Sequence, residues 1–244
     1  RILHPYETAK DSERDKAAYE KKFGAEKTKP QPSIIAFDGS FDVFPAERRW
    51  VSKGVYRLKN KTAQPISRVM LNVNDRARFA ALTIAGVPAT ESDDRLGVKI
   101  FTLPAPIAAG EEAELAFDMS VSSVGFKHGA PETQVVENGT FVNNFALPIV
   151  GYFERAELAG DRDRKRYDLP AKERMASRDD VHAQQVNYLR QDGDFIDFKI
   201  TVSTSPDQIA IAPGYLAREW TEGGRRYFRY EMDQPILNFF SVLS

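Results

Sequence analysis

The sequence predicts an all-β fold, mainly an antiparallel β-sandwich, with a short N-terminal helix and a long irregular insertion. Three observations predict it. From Ser33 onward, apolar and polar residues alternate through most of the chain, the period-2 signature of half-buried strands. Clusters of glycine, proline and asparagine interrupt that pattern at short, regular intervals, as they do in sandwiches and barrels. Strand and helix patterns do not alternate, so a doubly wound parallel sheet is not expected.

Residues from about 8 to 23 read as a helix, with Ser12 and Asp15 as a capping box and Ala18, Tyr19 and Phe23 on one face. "KTKPQPS" (Lys27–Ser33) is a proline-punctuated linker. Residues 1–32 therefore read as a helix and linker, a tether or docking segment ahead of a β domain spanning 33–244. Strand candidates follow as "IIAFDGSFDVFP", "RRWVSKGVYRLKN", "ISRVMLNVN", "RFAALTIAG", "LGVKIFTLP" and "AELAFDMSVSS". Turns are expected at Pro45, Asn60–Pro65, Gly86–Pro88 and Pro104–Gly110.

From about 125 to 194 the alternation lapses, and a connection that long is often functional or partner-facing. Inside it, "DRDRKR" (Asp161–Arg166) alternates charge sign and reads as a solvated loop or a polar contact with another domain. A short helix over Asp180–Leu189 is expected, with Ser177 and Asp180 as its capping box. Strands resume at "DFIDFKITVSTS", "QIAIAP", "YLAREW", "RRYFRYEM" and "PILNFFSVL", with a hairpin turn at "EGGRR" (Glu222–Arg226). The chain opens on Arg1 and stops inside an apolar strand at Ser244, so further sequence is expected on both sides.

Composition excludes several function classes. The 244 residues carry a formal net charge of −1, which gives no electrostatic reason to expect nucleic acid or an anionic membrane as partner. The longest near-apolar run, Phe145–Phe153, is 9 residues and includes a proline, against the ~20 a membrane helix needs. There is no cysteine, hence no disulfide, thiolate metal site or cysteine nucleophile.

Catalytic patterns are also missing. His4, His128 and His182 include no pair at the i, i+4 spacing of a helical zinc site, and H-E-x-x-H is absent. His182 follows Asp179 and Asp180, which could suggest a ligand or base but suits an exposed helix N-terminus with dipole-favoured acidic residues far better. No G-x-S-x-G elbow, phosphate loop or dinucleotide fingerprint occurs. The 16 Phe, 9 Tyr and 2 Trp could furnish a sugar-stacking platform, but they suit core filling better.

The last fifty residues carry a resemblance. "FIDFKITVSTSPDQIAIAPGYLAREWTEGGRRYFRYEMDQPILNFFSVLS" (Phe195–Ser244) resembles the end of the amino-terminal β domain of aminopeptidase N-type zinc metallopeptidases. Pro206, Ala210, Ala212, the turn at Gly224-Arg225 and "PILNFFSVLS" occupy the matching places. "NGTFVNNFALPIVGYFERAEL", "DLPAKERM" and "AAYEKKFGAEKTKPQPSI" look like a bacterial branch in which the peptidase region is fused to an ABC-type permease membrane region.

The resemblance implies a saddle-like sandwich that covers one side of a peptidase cleft and helps to position peptide. It implies no cofactor in residues 1–244, with zinc, H-E-x-x-H and the other metal ligand in a catalytic domain after Ser244. That domain would be the main partner, with peptide as a further one. The implied location is the periplasmic face of the bacterial inner membrane, with any membrane contact through segments outside this chain. The implied peptide-contacting residues are Asn143 and Asn144. They are amides where the better-known enzymes have Gln or Glu, and an amide offers an ammonium group no countercharge. Asn143 and Asn144 would equally suit a turn. Two rival readings remain: a self-contained β-sandwich binding module for carbohydrate or protein, and a structural domain of a transporter with a degenerate peptidase.

Overall fold

A computed structural model describes residues 8–123, 134–172, 176–181, 183–185 and 189–244. His4, His128 and His182 lie outside the described residues. Helix α1 (Ala9–Phe23) starts where Thr8 caps it: the Asp11 amide donates to Thr8 Oγ1 at 3.1 Å, and the Thr8 amide donates to Asp11 Oδ2 at 2.9 Å. The capping box is thus one turn earlier than Ser12 and Asp15, because Thr8 already has the extended backbone a cap requires.

Sixteen strands follow among the described residues. In chain order they are β1 (Ser33–Phe44), β2 (Arg49–Lys59), β3 (Ile66–Asn72), β4 (Arg78–Ile84), β5 (Val87–Pro88), β6 (Glu91–Asp93), β7 (Val98–Ile107) and β8 (Glu112–Ser122). Then come β9 (Val135–Val136), β10 (Gly139–Asn143), β11 (Ile149–Val150), β12 (Phe195–Thr204), β13 (Tyr215–Glu222), β14 (Arg225–Glu231), β15 (Ile236–Leu237) and β16 (Ser241–Leu243). The large sheet runs β13-β14-β12-β1-β2-β8-β4-β5, with β15 added beside β12. A second sheet runs β11-β3-β7-β6 and a small third one β16-β10-β9.

The pairing is antiparallel except between β1 and β12, which run parallel with Ala36 opposite Asp197. That pair is joined by the whole intervening chain rather than by a crossover helix, so the strand–helix alternation that usually announces parallel pairing is absent. The core fills the space between sheets. Phe37 lies at its centre, 5.3 Å from the Tyr56 ring, 5.8 Å from Phe198 and 5.5 Å from Phe240. Burying such rings supplies the main driving force, about 25 cal/mol per Å² of apolar surface. Gly54 is required there, since a Cβ would sit 2.7 Å from the Phe37 ring.

Several local expectations change. Pro104 and Pro106 continue β7, and Pro88 forms part of β5. Only Ile211 of "QIAIAP" pairs, as an isolated bridge to Leu243. "PILNFFSVL" is two short strands, β15 and β16, because buried Asn238 interrupts the apolar run. Within the expected second helix, Asp180–Leu189, Ala183–Gln185 form a 3-10 turn, and residues 182 and 186–188 lie outside the described residues. The hairpin at Gly223-Gly224 forms as expected, with both glycines at positive φ (55° and 74°).

"DRDRKR" is a helix, α2 (Asp161–Arg166), and not a loop. Arg164 is buried and donates to both Glu20 carboxylate oxygens, at 2.5 and 2.8 Å, and to the Leu158 carbonyl at 2.6 Å. The partner of the charge run is therefore α1. That helix is docked along its length: Tyr19 and Phe23 join a second apolar cluster with Met70, Val98, Ile100 and Tyr152. The Tyr19 hydroxyl donates to Asn72 Oδ1 at 2.9 Å and accepts from the Phe153 amide at 2.8 Å. Burial pushes its pKa up to about 12. No described helix is long and apolar enough to cross a membrane.

Candidate functional site

Strand β10 ends at Asn143 because Asn143 caps a single 3-10 turn over Asn144–Ala146. The Phe145 amide donates to Asn143 Oδ1 at 3.1 Å, a local side-chain bond that competes with continued sheet. Asn143 is half-buried, and among the described residues its side-chain amide donates to none. Asn144 is only 1% exposed. Its Nδ2 donates to Asn238 Oδ1 at 2.9 Å, its backbone amide donates to the Phe240 carbonyl at 2.9 Å, and its Oδ1 is buried without a partner. The structure thus brings the two asparagines together but points them differently: Asn143 is within reach of a solute and Asn144 is an internal anchor.

Beneath this turn lies a buried ion pair that sequence reasoning did not single out. Arg190 Nε donates to Asp192 Oδ1 at 2.6 Å and Nη2 to Oδ2 at 2.7 Å, the two-pronged geometry of strong guanidinium–carboxylate pairing. The third contact, Arg190 Nη1 to the Asn144 carbonyl at 2.9 Å, reaches the turn itself. Asp192 Oδ2 also accepts from the Val150 amide at 3.0 Å, and the Asp192 carbonyl accepts from Asn238 Nδ2. Burial works to lower the Arg190 pKa, but the Asp192 carboxylate outweighs it and holds the guanidinium above its ordinary value. Against the pair sits Tyr56, whose buried hydroxyl is pushed upward by loss of water. In sequence, the only sign of this cluster was an Arg-x-Asp spacing inside "LRQDGD", which looks like any polar turn.

On the outer side of the β10–β16 ladder is an apolar row. Phe141 is directly opposite Leu243, and Leu243 is bridged to Ile211. Phe141 is 56% exposed and Ile211 54%, so the row lies open on the surface. Asn143 continues the same face, since residues two apart on a strand share a side. Phe239, 45% exposed, lies beside it through its edge contact with Phe145 at 6.0 Å.

Among the described residues, no group of three or more His, Cys, Asp or Glu converges in a way that could hold a metal ion.

No family model matches the chain, and no curated protein does. Solved structures do. An M1 zinc metallopeptidase from Deinococcus radiodurans matches with TM-score 0.54 and 16% identity, over 88% of this chain and 42% of its own. A variant of that enzyme bound to a Tyr-Ser-Ala substrate gives TM-score 0.55 and 15% identity, over 88% of this chain and 42% of its own. A two-domain M1 zinc metallopeptidase bound to L-tryptophan gives 0.54 and 13%, over 88% and 43%. The chain therefore spans less than half the length of the structures it matches, and at these identities the likeness is one of fold.

Proposed function

We propose that this chain is the non-catalytic amino-terminal β domain of an M1-type, aminopeptidase N-like zinc metallopeptidase. In that role it packs against a catalytic domain, covers one side of the peptide cleft and presents Asn143 towards bound peptide. The observation that carries the reading is the exposed Phe141–Leu243–Ile211 row, which runs into Asn143 on a fold shared with two-domain peptidases. An apolar row of this kind calls for a protein cover rather than water. The family phrases in the sequence extend the reading to a membrane-linked protein of the permease-fused branch, with this domain on the periplasmic face.

Residues 1–244 on their own should bind no zinc and hydrolyse nothing. The test compares them with the full-length gene product, using zinc analysis and aminoacyl and peptide reporter substrates. Zinc-dependent cleavage by the full-length product alone supports the proposal. Stoichiometric zinc or cleavage in residues 1–244, or a full-length product without H-E-x-x-H, overturns it.

A further inference from the structure

We propose that the buried Arg190–Asp192 pair is a positioning device: it sets the Asn143–Phe145 turn and thereby the direction in which Asn143 is presented. The inference rests on the reading that Asn143 faces bound peptide. Its geometric part stands on the structure of the turn.

A buried ion pair is poor evidence for stability, because removing two charges from water offsets most of what their attraction returns. Here both side chains are essentially inaccessible, at 0% and 1%. What distinguishes the pair is where its remaining hydrogen-bonding capacity goes. Arg190 spends its third contact on the carbonyl of Asn144, in the middle of the turn. Asp192 holds the Val150 amide, just beyond the turn. Asn238, which accepts from the Asn144 side chain, itself donates to the Asp192 backbone. The segment from Asn144 to Val150 is therefore gripped at both ends and from below by one charged group. The Phe145 ring completes the arrangement, with the Arg190 guanidinium 5.5 Å and the Arg155 guanidinium 5.2 Å from its centroid. Because Phe145 donates its amide to Asn143 Oδ1, displacement of this platform reaches Asn143 without any direct contact.

A structural role and a positioning role separate when the pair is replaced by apolar side chains of similar size. The double variant Arg190→Met, Asp192→Leu removes both charges together and should melt within about 3 °C of the unaltered chain, since such replacements are often neutral. Amide hydrogen exchange at Phe145, whose bonding partner Asn143 is untouched, should nevertheless quicken by about tenfold or more. Arg190→Lys gives a second reading, keeping the charge while losing the planar fork. It should quicken exchange at Phe145 as well. If either folded variant exchanges Phe145 at the unaltered rate, the positioning role is overturned. The peptide reading fails separately, if a peptide added to the full-length unaltered protein leaves the Asn143 side-chain amide resonances unmoved.

Discussion

Two buried arginines, Arg190 and Arg164, do different work. Arg190 pairs with Asp192, two residues away, and grips a turn. Arg164 pairs with Glu20, 144 residues away, and fastens the N-terminal helix to the insertion. The first contact is local in sequence and deep in the body, and it organises the geometry of one loop. The second is distant in sequence, with Glu20 still 14% exposed, and it organises the docking of one element on another. The difference teaches that burial alone does not say what an ion pair is for; the other bonds its members make do.

Breaking the deeper pair should have the largest effect. Arg190→Ala leaves the Asp192 carboxylate buried without its partner and should cost about 3–5 kcal/mol in urea-monitored unfolding. A loss below about 1 kcal/mol would mean that water reaches Asp192, and the contrast between the two pairs would vanish. Glu20→Ala should cost less, about 2–3 kcal/mol, since Arg164 retains its carbonyl acceptors at Leu158 and Pro170. Its effect should be confined to α1 and α2 in hydrogen exchange, leaving the Phe145 amide protected.

Tyr19→Phe sharpens the comparison at the same interface without touching a charge. It removes two hydrogen bonds and should cost about 1–2 kcal/mol in thermal or urea unfolding. Acid should loosen the docked helix. Burial favours the neutral form of Glu157, but the hydrogen bond from Lys172 and the charge of Lys27 outweigh it and hold Glu157 below the usual carboxylate range. A depressed pKa contributes stability that is full above the unfolded-state value and is lost as pH falls through the folded one. A pH titration followed by exchange at α1 should therefore show protection that starts to fall at the ordinary carboxylate range and is lost below it. Lys22→Ala, which removes an exposed pair with Asp93, should change stability by about 0.5 kcal/mol or less in the same assay.

The central strands of the large sheet were legible where buried and more exposed residues alternate, as around Phe41 and Val43 in β1 and along β8 and β12. α1 was legible from Tyr19 and Phe23. Other features were hidden by physics that is not local. "DRDRKR" has no apolar periodicity, and its helix is held by Glu20, which no window of sequence brings near. Asn238 splits the final apolar run because its side chain is needed at Asn144, 94 residues back. At the candidate site, Asn143 and Asn144 could be named from a family phrase, but which one faces outward depends on Asn238 and Arg190. Arg190 itself was not singled out, because only the fold brings it beneath the Asn144 carbonyl and beside Tyr56.

The parallel pairing of β1 with β12 has a consequence for how the chain is made. Asp42 on β1 accepts a hydrogen bond from Ser203 on β12, 161 residues later. During synthesis, β1, β2 and β8 can assemble before β12 exists, but β1 keeps one edge open until β12 has left the ribosome. At about 5–20 residues per second, that interval lasts on the order of ten seconds or more. Over this time an unpaired edge carrying Phe37 and Phe41 is available to any other nascent strand. Arrival of β12 closes the central ladder and, with Phe240 following, seals the aromatic centre. The last fifty residues are thus the part that closes the open edge of β1.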